Sequence, residues 1–193
     1  MKISQSGIDL IKKFEGCSLT AYKLEGESYW TIGYGRTFDN SITASTVWTQ
    51  EQAEEALIED LAKYEKYVNN IALVKFPNMT QNQFNALVSY CYNRGQGGLK
   101  QLINASETLS EVSSNLIIYW GSAERYKTGL LRRRKAEQEL FNTIELSKEY
   151  IEALDILIKA NIISSPSVWK EEAISPKNVR SLIIKMARYI SNS

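Results

Sequence analysis

Histidine is absent from this chain of 193 residues. Its absence excludes a Ser-His-Asp or Cys-His hydrolase and a His-ligated zinc enzyme in one step. Acid–base chemistry near neutral pH then falls to carboxyls, assisted by hydroxyls, Lys or Tyr. Cysteine is scarce: Cys17 and Cys91 lack the paired spacing of a zinc site. Two cysteines are enough for one disulfide, but a reduced pair of small buried side chains is the expectation. Neither sign of charge dominates, with 23 Lys+Arg against 22 Asp+Glu. That argues against a broadly basic nucleic-acid-binding surface and leaves a local basic patch open. No apolar run approaches the length of a membrane span. The opening "MKISQSGIDLIKKFEG" has neither an apolar signal core nor a small-residue cleavage site, so a soluble chain made in the cytoplasm is expected. Phosphate-binding Gly-rich loops, internal repeats and low-complexity segments are also missing. No metal and no organic cofactor is expected.

What is present is mostly helical pattern. Ser4 or Ser6 can cap a helix through about Phe14, with Ile8, Ile11 and Phe14 on one face, and Gly16 is a natural stop. "LTAYKL" and "YWTIGYG" read as two short strands joined by "EGES", with Gly26 supplying the turn, and a third short strand is expected near Ser41 to Thr43. Thr49 with Gln52, and Thr80 with Gln83, make capping boxes for two longer helices. Further helices are expected from about Leu109 to Trp120 and over "TGLLRRRKAEQELF". The fold class is α+β, mainly helical, with a small strand-poor lobe set into a helical protein.

The stretch "KFEGCSLTAYKLEGESYWTIGYGRT" holds three acids, Glu15, Glu25 and Glu27. Glu15 falls at a helix C-terminus. The negative end of the macrodipole disfavours a carboxylate there by a few tenths to about 1 kcal/mol, which favours the protonated form that a general acid must hold. A solvated helix-end acid is the plainer reading.

The run from Phe14 to Gly35, "FEG…L.AY…YWTIGYG", resembles the phage-type lysozymes, the endolysin muramidases that cut bacterial peptidoglycan. In that family a Glu ends the first helix, an acid (usually Asp) follows, and a Thr six residues later opens the "TIGYG" strand. "TQNQFNALVSYCYNRG" is similar to the family's core helix, and "TGLLRRRKAEQELF", with Trp120 upstream, to its paired-arginine helix. The resemblance covers about residues 1–143. It implies a lysozyme-like two-lobed domain over 1–145, with a small helical module over 146–193. It also implies hydrolysis of the β-1,4 bond between N-acetylmuramic acid and N-acetylglucosamine, by inversion, with Glu15 as the acid and Thr31 holding the attacking water. Tyr34, Asn93 and Gln96 become candidate saccharide contacts. Core packing is the alternative for Tyr34, and a helix cap for Asn93. The expected partner is peptidoglycan and the expected state a monomer. Such a chain would wait in the host bacterial cytoplasm until a holin released it to the wall.

Two positions depart from the family. Counting nine residues on from Glu15 lands on Leu24, which cannot act as an acid. Counting back six from Thr31 lands on Glu25, so Glu25 is taken as the second acid, and Glu27 is the competitor if the turn falls otherwise. Many relatives have His after "TIGYG"; here Arg36 stands there, so the local ion pair must be rebuilt. A missing Asp also leaves open a transglycosylase or a catalytically weak wall-binding relative.

Arg132, Arg133 and Arg134 span about 200° of a helix, so at least one faces protein. Arg133 and Glu137 are read as structural support, not as catalytic groups. The tail reads as a helix over "EYIEALDILIKANII", a turn-rich connector, and a last helix from Ser175 and Pro176. Its role is either wall targeting, through Trp169 and Tyr189, or docking on the catalytic domain.

Overall fold

The computed structural model describes residues 1–121, 124–143, 148–163, 182, 184–186 and 188–189. The chain divides into two compact units, Met1–Thr143 and Ile144–Ser193. The first contains α1 (Gln5–Glu15), β1 (Ser18–Tyr22), β2 (Thr31–Gly33), α2 (Gln50–Val68), α3 (Gln81–Asn104), α4 (Leu109–Ile118) and α5 (Lys127–Asn142). A π turn over Asn69–Leu73 carries α2 onward.

Local chemistry accounts for most of the boundaries. Both expected capping boxes close: Thr49 and Gln52 bond reciprocally at the start of α2, as do Thr80 and Gln83 at the start of α3. Gly16 stops α1 at φ +69°, a value that favours glycine. The start of α1 differs from expectation. Ser4 holds the N-cap position, but its hydroxyl accepts from Asn85 Nδ2 at 2.7 Å instead of capping the helix, and its N–H donates to Asn85 Oδ1 at 3.0 Å. A fully buried Asn85 on α3 thus replaces a local cap with a tertiary one. Gly7 lets the two helices approach this closely, because a Cβ there would meet Asn85 Cβ at 2.9 Å.

The hairpin pairs Ser18 with Gly33 and Tyr22 with Thr31, with an irregular register between them. The expected third strand near Ser41 does not form. Asp39 accepts from the Ser41 N–H and hydroxyl and holds a turn there, and the extra pairing partner is Val47, bridged to Thr20. Ala21, Ile32 and Ile42 make a small core for this lobe, with Trp30 and Trp48 against it. The main core lies among the helices, where α3 packs on α1, α2 and α5. Cys91 belongs to it, and burial pushes its thiol up to about 12, so it stays protonated. Cys17 is exposed, which corrects the expectation of a buried pair; both thiols are free.

Helix α3 has a break in it. Gly95 takes φ +69° and ψ +177° between two helical stretches, so the helix that the sequence ends near Gly95 does stop there and then restarts. The second unit contains α6 (Lys148–Lys159), with Leu154 and Ile163 buried against Leu157, Ile158, Ile162 and Leu182. Trp169 and the start of the last expected helix, at Ser175 and Pro176, lie outside the described residues.

Helix α5 is anchored by charge. Arg134 and Glu137 are fully buried, and Arg133 is nearly so. Arg133 Nε and Arg134 Nη2 donate to Glu137 Oε1 at 3.1 and 3.0 Å, and the Ser89 hydroxyl of α3 donates to the same oxygen at 2.8 Å. Arg134 Nε lies 2.7 Å from Glu137 Oε2 as an ion contact without hydrogen-bond alignment. The Arg134 guanidinium lies 4.6 Å from the Tyr90 ring centroid, and Arg133 Nη2 donates to the Ser89 carbonyl at 3.2 Å. Burial pushes the Glu137 carboxyl up, while the two guanidiniums and Ser89 pull it back. Removing one partner from such a buried set leaves a charge uncompensated, which costs about 3–5 kcal/mol. Glu137→Gln is therefore expected to destabilise the protein by about that amount, read as a lower denaturant midpoint at unchanged slope. A change under about 1 kcal/mol would mean that neutral packing holds α5.

Candidate active site

Glu15 closes α1, and Gly16 follows it immediately. Its carboxylate Oε1 accepts from Arg133 Nη1 at 2.5 Å, across 118 positions of chain. Arg133 thus joins Glu15 to the buried Glu137, and Phe14 packs against the guanidinium with its ring centroid 5.7 Å away. Arg133 has the expected supporting role in its bond to Glu137, and its direct hold on Glu15 extends that support to the cleft. No sequence signal pointed to that pair, because helix spacing reports on Arg133 and Glu137 and not on a residue so far upstream.

Glu15 and Asn93 line one cleft of about 460 Å3, together with Phe14, Arg125, Tyr126 and Arg133. Asn93 is exposed; it sits just before the Gly95 break and accepts from Arg134 Nη2 at 3.1 Å. The chain of contacts Glu15–Arg133–Glu137–Arg134–Asn93 therefore fixes two cleft residues through one buried carboxylate.

The other sequence candidates lie outside that lining. Gln96 is exposed just beyond the break. Tyr34 is 7 % exposed: its hydroxyl accepts from Gln50 at 2.9 Å and its carbonyl from the Tyr92 hydroxyl at 2.9 Å. The core-packing alternative describes it, because a residue held in this way has little surface left for a sugar. Thr31 is buried at the first position of β2. Glu25 is exposed in the turn, where the Glu27 N–H donates to the Leu24 carbonyl at 3.1 Å and Gly26 takes φ +86°. The Glu27 carboxylate folds back on the same turn and accepts from the Leu24 N–H at 3.4 Å.

Arg36 rebuilds its ion pair with α2. It donates to Asp60 at 3.1 Å, to Glu59 at 3.0 Å and to the Ala56 carbonyl at 2.6 Å. Arg36 thus ties the hairpin lobe to α2. Among the described residues no group of acids and cysteines could hold a metal ion, and no helix is long and apolar enough to cross a membrane.

The model of the phage lysozyme family matches residues 12–137. The endolysin of Bacillus phage B103 is 33% identical over 202 residues, covering 100% of this chain and 74% of its own length. The endolysin of Bacillus phage PZA is 39% identical over 148 residues, covering 74% of this chain, and the chain spans only 56% of that relative. Among solved structures, the muramidase domain of SpmX from Asticaccaulis excentricus is similar with a TM-score of 0.64 and 36% identity, covering 74% of this chain and 99% of that one. The family match spans the last turn of α1 with Glu15, the hairpin and the arginine–Glu137 network of α5, so the chain belongs to the phage lysozyme family and is a glycoside hydrolase of the lysozyme type.

Proposed function

We propose that the protein is an endolysin that hydrolyses the muramic acid–glucosamine bond of peptidoglycan, with Glu15 as general acid and Glu25 as its partner. The observation that carries this reading is the placement of Glu15: a carboxyl at a helix end, in an open cleft, fixed by one buried arginine. Arg133 holds Oε1, so the proton for the leaving oxygen belongs on Oε2. Arg133 then stabilises the carboxylate that remains once the proton has gone. Because Glu137 also accepts from Arg133, the guanidinium is shared between two carboxylates, and its hold on Glu15 is weaker than that of an unshared arginine.

The second half of the reaction needs negative charge or an activated water on the far side of the sugar. Glu25 is the better candidate for it. Its rival Glu27 is turned back onto the turn backbone, whereas Glu25 stands exposed at the tip. Thr31, fixed at the start of β2, would position the water, and the expected outcome is inversion. Asn93 and Gln96 would contact the saccharide. Residues 144–193, a compact unit of their own with which the B103 relative also aligns, would serve either to target the wall or to support the catalytic domain. Holin-dependent release from the host cytoplasm follows from the endolysin reading.

Glu15→Gln is expected to lower lysis of purified peptidoglycan by at least about a thousandfold with the melting temperature little changed; wild-type lysis by this variant would refute the assignment. Glu25→Gln is expected to cost far more activity than Glu27→Gln, and the reverse order would exchange their roles. Mass spectrometry of the digest should find hydrated reducing ends, and proton NMR of freshly cut product, before mutarotation, should find the inverted anomer. Anhydro ends would make the protein a transglycosylase. Truncation after Thr143 is expected to leave turnover of soluble fragments intact and to weaken pelleting with whole walls; unchanged pelleting with earlier melting would make the tail structural.

A further inference from the structure

The surface beside Glu15 continues past Phe14. A second depression, of about 370 Å3, shares Phe14 and Arg132 with the cleft and is lined further by Lys13, Lys135 and Glu139. Arg125 lines the cleft itself. Arg132 and Lys13 both lie against the Phe14 ring, 5.8 and 5.9 Å from its centroid. Among the described residues, none of Arg125, Arg132, Lys135 and Lys13 has a carboxylate within ion-pair distance, whereas Lys12, Lys75 and Lys127 each have one and Arg36 has two. Of the two acids that line these depressions, Glu15 is already held by Arg133, which leaves Glu139 to oppose four cations. The formal net charge of the chain is only +1, so this surplus is local and does not reflect a generally basic surface.

We propose that Arg125, Arg132 and Lys135 form a cationic track that binds the carboxylates of the peptide stem carried by the sugar strand being cut. The inference rests on the peptidoglycan reading of the same cleft. The stem is attached to the muramic acid next to the scissile bond, so its free carboxylates enter together with the sugar. Phosphate polymers of the wall are a rival anion, but they are not part of the segment that must occupy the cleft. Arginine suits the task because its planar guanidinium can take a carboxylate through two bonds, while Lys135 adds a point charge farther along. The Phe14 ring beneath Arg132 restricts the guanidinium at the junction of the two depressions, which reduces the ordering cost of binding.

The test compares the unsubstituted protein with the R125Q/R132Q/K135Q variant on three substrates. These are peptide-bearing glycan freed of phosphate polymers, the same glycan stripped of peptides by an amidase, and walls that keep their phosphate polymers. Exposed ionic contacts are individually weak, so KM for the peptide-bearing glycan is expected to rise about tenfold in total, with kcat unchanged. The difference should fade near 1 M salt, where screening acts within about 3 Å. On peptide-free glycan the two proteins should differ by less than about twofold. The proposal is overturned by an unchanged KM on peptide-bearing glycan, by an equal loss on peptide-free glycan, or by a loss confined to walls with phosphate polymers. Binding is measured separately by pelleting Glu15→Gln protein, with and without the three substitutions, on peptide-bearing and peptide-free glycan. Weaker pelleting on the peptide-bearing glycan alone supports the track; unchanged pelleting overturns it. If the unsubstituted protein cuts neither glycan, the muramidase reading fails, and the pelleting result still decides the track.

Discussion

The architecture of the catalytic unit depends on a carboxylate that never meets solvent. Glu137 is fully buried and accepts from Arg133, Arg134 and Ser89, which brings α5 and α3 together at one oxygen. Its guanidinium partners extend that fixed point outward, Arg133 to Glu15 at the end of α1 and Arg134 to Asn93 beside the break in α3. Desolvating these charges is costly, and a well-packed apolar cluster would stabilise the helices at least as well. The charged solution does something that an apolar cluster cannot. It sets the orientation of a cleft carboxyl from behind, through hydrogen bonds of fixed direction.

The hairpin lobe is built on a different principle. Its core is small, and its register is irregular between the two ends of β1. Its attachment relies on the turn and bridge bonds around Trp48 and on Arg36, which grips Asp60, Glu59 and a carbonyl of α2. The acid assigned to the far side of the sugar sits on the tip of this lobe, at Glu25. The proposed acid is therefore clamped by a buried network, and its proposed partner is carried on an exposed turn. An exposed tip can adjust to the substrate, so a Glu in place of the usual Asp would be tolerable there.

Charge is distributed unevenly over a nearly neutral chain. Several cations are spent in ion pairs that tie elements together, such as Lys12 to Glu54 and Lys75 to Glu107. Among the described residues, Lys13 and Arg132, which flank Phe14, have no acid within ion-pair distance. A pairing pattern of this kind separates structural cations from cations available to a ligand, a distinction that overall composition hides.

The sequence by itself determined the helical frame, the capping boxes at Thr49 and Thr80, the stop at Gly16, the turn at Gly26 and the place of Glu15 at a helix end. Each of these is written within a few neighbouring residues, where backbone preference and helix spacing operate. The burial of part of the arginine run was also legible, because three consecutive helical positions cannot share one face. What only the tertiary structure decided involves partners distant in the chain. The hold of Arg133 on Glu15, the use of Asn85 in place of a local cap at Ser4, the burial of Tyr34 and the unpaired cations around Phe14 all depend on which helix faces which. Packing settles that, and no local pattern encodes it. The third strand failed for the same reason in reverse: Ser41 to Thr43 has strand-like composition, but Asp39 accepts from Ser41 and Val47 takes the place beside Thr20.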